Sequence, residues 1–219
     1  IAGGPSSTSI EALVHVQKDG ILRTKTLTNT TRTTTIITPS SGARYIDLAK
    51  ADIYDVTRIR AVDSNGADLL NDFILDKGAR DNFYETGRLL LKGNAAVPSG
   101  NVFVRFNYFT HSPNGHYFAA SSYGGINYGN IPIHTLGNGT DIPLYDVLDF
   151  RSRKDDTNSN FSAGTARVNE VPINTSLITA DTEYYLPRFD KLVIDEQANI
   201  SLLTGTPSLN PQYPPIPAN

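Results

Sequence analysis

Cysteine, methionine and tryptophan are all absent from this sequence. Without cysteine there is no disulfide and no thiolate metal site, so stability has to come from packing and assembly, and the redox compartment stays open. Without methionine the chain lacks an initiator residue, and Ile1 is expected to be an internal position of a processed or longer protein. Charge is sparse as well: 19% of residues are charged and the formal net charge is -3. Like charges never run beyond a pair or so, so no basic stripe exists to follow a phosphate backbone, and nucleic acid is not an expected partner. No apolar run nears the roughly 18–20 residues of a membrane helix. The opening residues IAGGPSSTS lack a basic region followed by an apolar core, so no secretory signal is read there.

Hydrophobic residues make up 39% of the chain, where an ordinary soluble domain holds about 45–50% apolar residues including glycine. Thr, Ser, Asn, Gly and Pro fill the gap. Such residues favour many short strands joined by turns. The expected fold is all-β: a linker over 1–9, a sandwich-like module over 10–110, a loop-rich extension over 111–186, a hairpin over 187–205 and a proline-rich tether over 206–219.

Individual segments carry this expectation. Glu11–Val16, Leu22–Thr28 and Thr33–Thr38 read as strands, because β-branched residues suit a pleated surface. Lys18-Asp19-Gly20 makes the first turn. YIDLAKADIYDV, from Tyr45 to Val56, has room for one helical turn. Val56–Val62 reads as a strand, and the Asn65-Gly66 pair after it is a hairpin signal, since both residues tolerate positive φ. Phe73–Leu75 and RLLLK within Tyr84–Lys92 are further strands. Asn101–Thr110, NVFVRFNYFT, alternates most cleanly. Val102, Val104, Phe106 and Tyr108 share one face and Phe103, Arg105, Asn107 and Phe109 the other, as in a central sandwich strand. Residues 111–140 are rich in turn formers and read as a long irregular connection. LYDVLDF, 144–150, reads as a short helix or strand, and RSRKDDTNSN, 151–160, as a polar surface loop. Lys191–Asp195 and Ile200–Thr204 flank a turn and read as a terminal hairpin.

In order along the chain stand Asp81-Asn82-Phe83-Tyr84, Leu148-Asp149-Phe150-Arg151 and Tyr185-Leu186-Pro187-Arg188-Phe189-Asp190. This succession resembles a module of large virion structural proteins of contractile-tailed phages, especially those of marine cyanobacteria. The resemblance covers about residues 45–217; Ser152 stands where the pattern has proline, and residues 10–44 lie outside it. It implies a tail, baseplate or fibre component, assembled in the host cytoplasm and carried in the virion. It implies no catalytic residues and no cofactor.

Several groups have residue types that suit chemistry. Asp81 and Glu85 have the residue types of a glycosidase acid pair, which needs two carboxyls about 5–9 Å apart, but Asp81-Asn82 suits a tight turn better. His111 and His116 bracket a turn and could share a metal, yet zinc needs three or four close ligands. Asp63–Asp68 and Lys154–Asn158 look like calcium loops but lack the closing Glu, which favours turn chemistry. Tyr117, Tyr123 and Tyr128 sit in a Gly/Asn/Ser setting that suits a subunit interface or, alternatively, sugar stacking on host surface glycan. Tyr185 joins them as an interface candidate. Arg188 and Asp190 alternate about Phe189, so both point the same way from an extended chain, as an exposed face or as an ion pair at a subunit contact. The sequence therefore leads to a non-enzymatic structural protein that associates with itself or with other virion proteins.

Overall fold

A computed structural model describes residues 22–113, 115–154, 156, 175, 177, 179 and 184–216. The readings for residues 1–9, Glu11–Val16 and Lys18–Gly20 lie outside the described residues. The fold is all-β, with no helix of seven or more residues among the described ones. The chain divides into two compact units, Ile1–Pro172 and Ile173–Asn219.

In the first unit the strands are β1 (Lys25–Thr35), β2 (Tyr45–Ala51), β3 (Ile53–Ala61), β4 (Phe73–Asp76), β5 (Phe83–Tyr84), β6 (Thr86–Leu91), β7 (Asn101–His111), β8 (Tyr123–Gly124), β9 (Ile133–Thr135), β10 (Asp141–Pro143) and β11 (Ser152–Arg153). One sheet has the order β3-β7-β1-β8 and a second the order β2-β6-β4. Their facing sides meet in a core of Ile46 and Leu48 from β2, Ile53 and Ile59 from β3, Phe73 from β4, Leu89 and Leu91 from β6, and Val102, Val104, Phe106 and Tyr108 from β7. The even-numbered residues of β7 are the buried ones, as the pleat requires. A fully buried side chain such as Phe106 or Leu89 contributes roughly 1.5–3 kcal/mol.

Phe109 breaks this parity. It is buried on the opposite face of β7, where Tyr123, Ile131 and Leu144 form a second core with it. The segment after β7 therefore folds back over the larger sheet. This is why the first unit runs past residue 110, where composition alone placed its end. β8 lies parallel beside β1, and β11 pairs in parallel with β5, so the later residues are stitched into the earlier ones.

Other segments differ from the sequence expectation for clear reasons. Residues 22–38 hold one long strand instead of two, because every residue of β1 from Lys25 to Thr35 finds a partner on β7. The stretch read as a helical turn is β2 followed by β3; the aspartates there cap a bulge, with Asp47 accepting the Ala49 amide at 2.7 Å, and the register to β6 shifts at that point. Asn65-Gly66 does sit in a turn, but only a single bridge, Arg60 to Asp68, follows it, and the chain crosses to β4 in the other sheet. Residues 144–150 hold neither a regular helix nor a strand: turns end in a bridge between Asp149 and Phe118. Gly78 adopts φ +74°, and a Cβ there would come within 2.1 Å of the Glu85 carbonyl, so only glycine fits this corner.

The second unit holds β12 (Lys191–Ile194) and β13 (Ile200–Leu203), antiparallel, with Leu192 opposite Leu202 and Ile194 opposite Ile200. Asp195 closes the turn by accepting the amides of Gln197 and Asn199. The residues after β13 do not trail away. Ser208 donates to the Pro187 carbonyl at 3.0 Å and Tyr213 stacks on Phe189 at 4.6 Å, so the proline-rich segment returns along the approach to β12. Gly205 permits this return, since a Cβ would lie 2.1 Å from the Phe189 carbonyl.

Candidate functional site

The strand register builds an ionic centre inside the first unit. Lys25 lies directly opposite His111 across the β1–β7 pair, two residues from Leu27 and Phe109, so both side chains enter the second core. Asp52, between β2 and β3, reaches the same space; its backbone is left-handed, φ 57°, and its carbonyl accepts the Phe109 amide. Aspartate tolerates this conformation better than most residues. Tyr84 arrives on β5 and Arg151 just ahead of β11, and the Asp149–Phe118 bridge fixes the sixth member.

The contacts form a chain. The Lys25 ammonium donates to Asp52 Oδ2 at 2.7 Å and to the Tyr84 hydroxyl at 3.0 Å. His111 Nε2 lies 2.7 Å from the same Asp52 oxygen. The Tyr84 hydroxyl donates a short hydrogen bond to Asp149 and accepts one from Arg151 at 2.6 Å. Arg151 grips both Asp149 oxygens at 2.9 Å and donates to the Arg80 carbonyl at 3.1 Å. Aromatic rings close around the ammonium: the Tyr84, Phe118 and Tyr123 centroids lie 4.3, 4.6 and 5.1 Å from Nζ, a favourable cation–π setting. The Lys25 side chain is 0% exposed. Two cations face two carboxylates here, which offsets a desolvation cost of several kcal/mol per ion.

The electrostatics follow from burial and pairing. Burial raises the Asp52 carboxyl, but the Lys25 ammonium and the His111 hydrogen bond outweigh it and hold the group below the usual carboxylate range. Asp149 behaves alike: burial raises it, and the Arg151 hydrogen bond brings the net shift downward. Burial pushes His111 down to about 4. Its Nδ1 is buried without a hydrogen-bond partner among the described residues, which fits a neutral ring with its proton on Nε2. Burial, then the Asp149 charge, pushes the Tyr84 phenol well above its ordinary value.

A second network borders the first. Arg153 is buried and donates to Asp156 at 2.5 Å, and Lys50 pairs with the same carboxylate at 2.8 Å. Residues 151–153, expected in a polar surface loop, are thus buried, because each guanidinium finds a carboxylate within its own turn of chain.

Of the residues singled out in the sequence, His111 belongs to this centre and Tyr123 lines it, while the others fall elsewhere. Asp81 accepts the Gly137 amide at 3.2 Å and lies 3.3 Å from His134, while Glu85 is held by Arg80 at 2.6 Å and by Lys154 at 3.6 Å. The two carboxylates are committed to different partners. Asp63 and Asp68 accept the Asn65 and Leu70 amides at 2.8 Å, which is turn chemistry. Among the described residues no cluster of three or more His, Asp or Glu side chains is arranged to hold a metal; His116 is half-buried and His15 lies outside the described residues. Of the interface candidates, Tyr123 is buried against Phe109, and Tyr117 is half-buried against Phe150. Tyr128 is partly exposed and leans on Tyr145. Tyr185 and Arg188 are exposed, and Arg188 pairs with Asp190 at 3.0 Å.

Comparison with family models, with curated proteins and with solved structures yields no match. No described helix is long and apolar enough to cross a membrane.

Three members of the centre, Tyr84, Asp149 and Arg151, lie inside the motifs quoted above, and His111 is half of the candidate metal pair, but Lys25 and Asp52 carry no local signal. The one available clue was spacing. Asp149 and Arg151 stand two apart about a phenylalanine, the same arrangement that singled out Arg188 and Asp190.

Proposed function

We propose that this protein is a structural building block of a phage particle, assembling through the outer face of its C-terminal hairpin. One observation carries the reading. Leu192, Ile194, Ile200 and Leu202 lie side by side on the same face of β12–β13, and all four are exposed, Leu192 at 67% and Leu202 at 59%. An isolated two-stranded hairpin is marginal in water, and a contiguous aliphatic face marks an interaction surface. The face carries no charge to reject a copy of itself, so a second copy of this chain is the simplest occupant, through a self-complementary contact. The virion setting is supported by the motif resemblance alone. No catalytic claim accompanies it; the ionic centre around Lys25 and Arg151 is buried.

The glycan-binding alternative rests on the tyrosines of 111–140. It is the weaker reading, since the Tyr117 and Tyr123 rings are engaged with Phe150 and Phe109, leaving Tyr128 as the exposed one.

The test is native mass measurement of the full chain and of Leu192→Asn/Leu202→Asn. The expected result is an oligomer that becomes monomeric in the variant, with the unfolding transition of the first unit unchanged. A monomer in both, together with glycan-array binding lost in Tyr128→Ala, would favour the alternative.

A further inference from the structure

We infer that Lys25 and Asp52 form an intramolecular amide, a covalent brace made by the folded chain itself between β1 and the β2–β3 junction. The inference stands independently of the assembly reading.

The reacting atoms are already in place. Lys25 Nζ lies 2.7 Å from Asp52 Oδ2, with the lysine side chain fully buried and the aspartate 9% exposed. Bound reactants held in contact replace a bimolecular step with a unimolecular one, the largest advantage a fold gives to condensation. The Tyr84, Phe118 and Tyr123 rings shield the pair, so bulk water, which favours hydrolysis, is kept away. The neutral amine and acid that react differ from the ion pair by one proton shift along the existing hydrogen bond.

The step balances without an added reagent. The ammonium passes one proton to the carboxylate, and the neutral Nζ attacks Cγ. Nitrogen then loses a second proton as the Cγ–Oδ2 bond breaks, and Oδ2 leaves as water. Ammonium plus carboxylate thus becomes a secondary amide plus one water, with no change in net charge and nothing oxidised or reduced. The second proton passes from nitrogen to the departing oxygen itself, while His111 Nε2–H, 2.7 Å from that oxygen, donates a hydrogen bond that holds it for departure. Tyr84 accepts from Lys25 and donates to Asp149, which orients the amine and supplies a second acceptor path. Both act as positioning residues. In a chain with no cysteine, such an amide supplies the cross-link that a disulfide cannot, joining residues 27 apart in sequence.

The experiment is intact-mass spectrometry of the full chain, folded and incubated at neutral pH, followed by tryptic mapping. The expected result is a mass one water below that of the sequence, with cleavage blocked at Lys25 and a branched peptide that joins Lys25 to Asp52. Lys25→Arg, which keeps the cation but has no amine to acylate, should show the full mass, as should Asp52→Ala. After refolding, His111→Gln should lose water more slowly than the parent at every pH, which a merely structural role would not produce once folding is matched by circular dichroism. The full sequence mass in the parent protein overturns the inference. So does a water loss that maps to the Asp19-Gly20 pair, where a cyclic imide has the same mass.

Discussion

The chain contains the same three-residue device twice, with opposite consequences. Asp149-Phe150-Arg151 in the first unit and Arg188-Phe189-Asp190 in the second each place a carboxylate and a guanidinium two residues apart about a phenylalanine. The Nε–O separations are nearly equal, 2.9 and 3.0 Å. The first pair is 8% and 3% exposed, the second 45% and 26%. Local sequence set the geometry of both pairs; burial sets their energy. An exposed pair contributes about 0–1 kcal/mol, whereas removing one partner of a buried pair leaves an uncompensated charge and costs about 3–5 kcal/mol. The contrast extends to the surroundings. The first unit holds paired charges inside, while the second leaves aliphatic side chains of its hairpin outside. Under the proposed assembly, the exposed aliphatic face of the second unit is the one that meets a neighbour.

The largest difference between the two units is expected on mutating the two arginines. Arg151→Ala should destabilise the first unit by about 3–5 kcal/mol, and Arg188→Ala should change its own unit by under about 1 kcal/mol, read from denaturant unfolding. Equal effects would dissolve the contrast.

Acid should act next in size, and chiefly on the first unit, since in the second unit the exposed Asp195 is also lowered by its hydrogen bonds to Asn199. Burial lowers His111 from 6.5 to about 4, so the folded protein keeps the ring neutral while the unfolded chain takes a proton near its ordinary value. Between those two pH values the unfolded state binds more protons. This contribution is therefore complete above about pH 6.5 and is lost as pH falls toward 4, by roughly 3 kcal/mol. His134 is also lowered, by burial and then Arg151, and its contribution has the same sign. Asp149, held below its ordinary 3.8, extends the loss to lower pH, as does Asp52 in chains where it has not condensed with Lys25. Denaturation curves at neutral and mildly acid pH check this; a flat profile would mean that water reaches His111.

The smallest effects sharpen the picture within the centre. Tyr84→Phe removes a hydroxyl that serves Lys25, Asp149 and Arg151 and should cost about 1–3 kcal/mol. The Tyr123 hydroxyl is buried without a hydrogen-bond partner among the described residues, so Tyr123→Phe should be neutral or stabilising by about 1 kcal/mol. Thermal melts should fall for Tyr84→Phe and hold or rise for Tyr123→Phe.

How far the sequence revealed this structure depends on range. β7 was legible because Val102, Val104, Phe106 and Tyr108 alternate, and a pleat has period two. The terminal turn was legible from Glu196 to Asn199, since Asp195 closes it with its own backbone. The ionic centre was not. Lys25, Asp52 and His111 become neighbours only once β1 has paired with β7 over its whole length, and nothing local announces that pairing. Arg151 and Arg153 read as surface residues because arginine is seldom buried; their partners, Asp149 and Asp156, were in view but so were many exposed acids. The return of the proline-rich segment onto Phe189 was equally hidden, since proline composition speaks of extension and not of what the extended chain lies against.

The most direct test of the central contrast is hydrogen exchange on the full chain at dilute and at high protein concentration. The β1–β7 amides from Lys25 to His111 should be protected equally at both, and the β12–β13 amides should gain protection only as concentration rises. Hairpin amides protected to the same degree at every concentration would show that its aliphatic face needs no second copy, and would contradict the account.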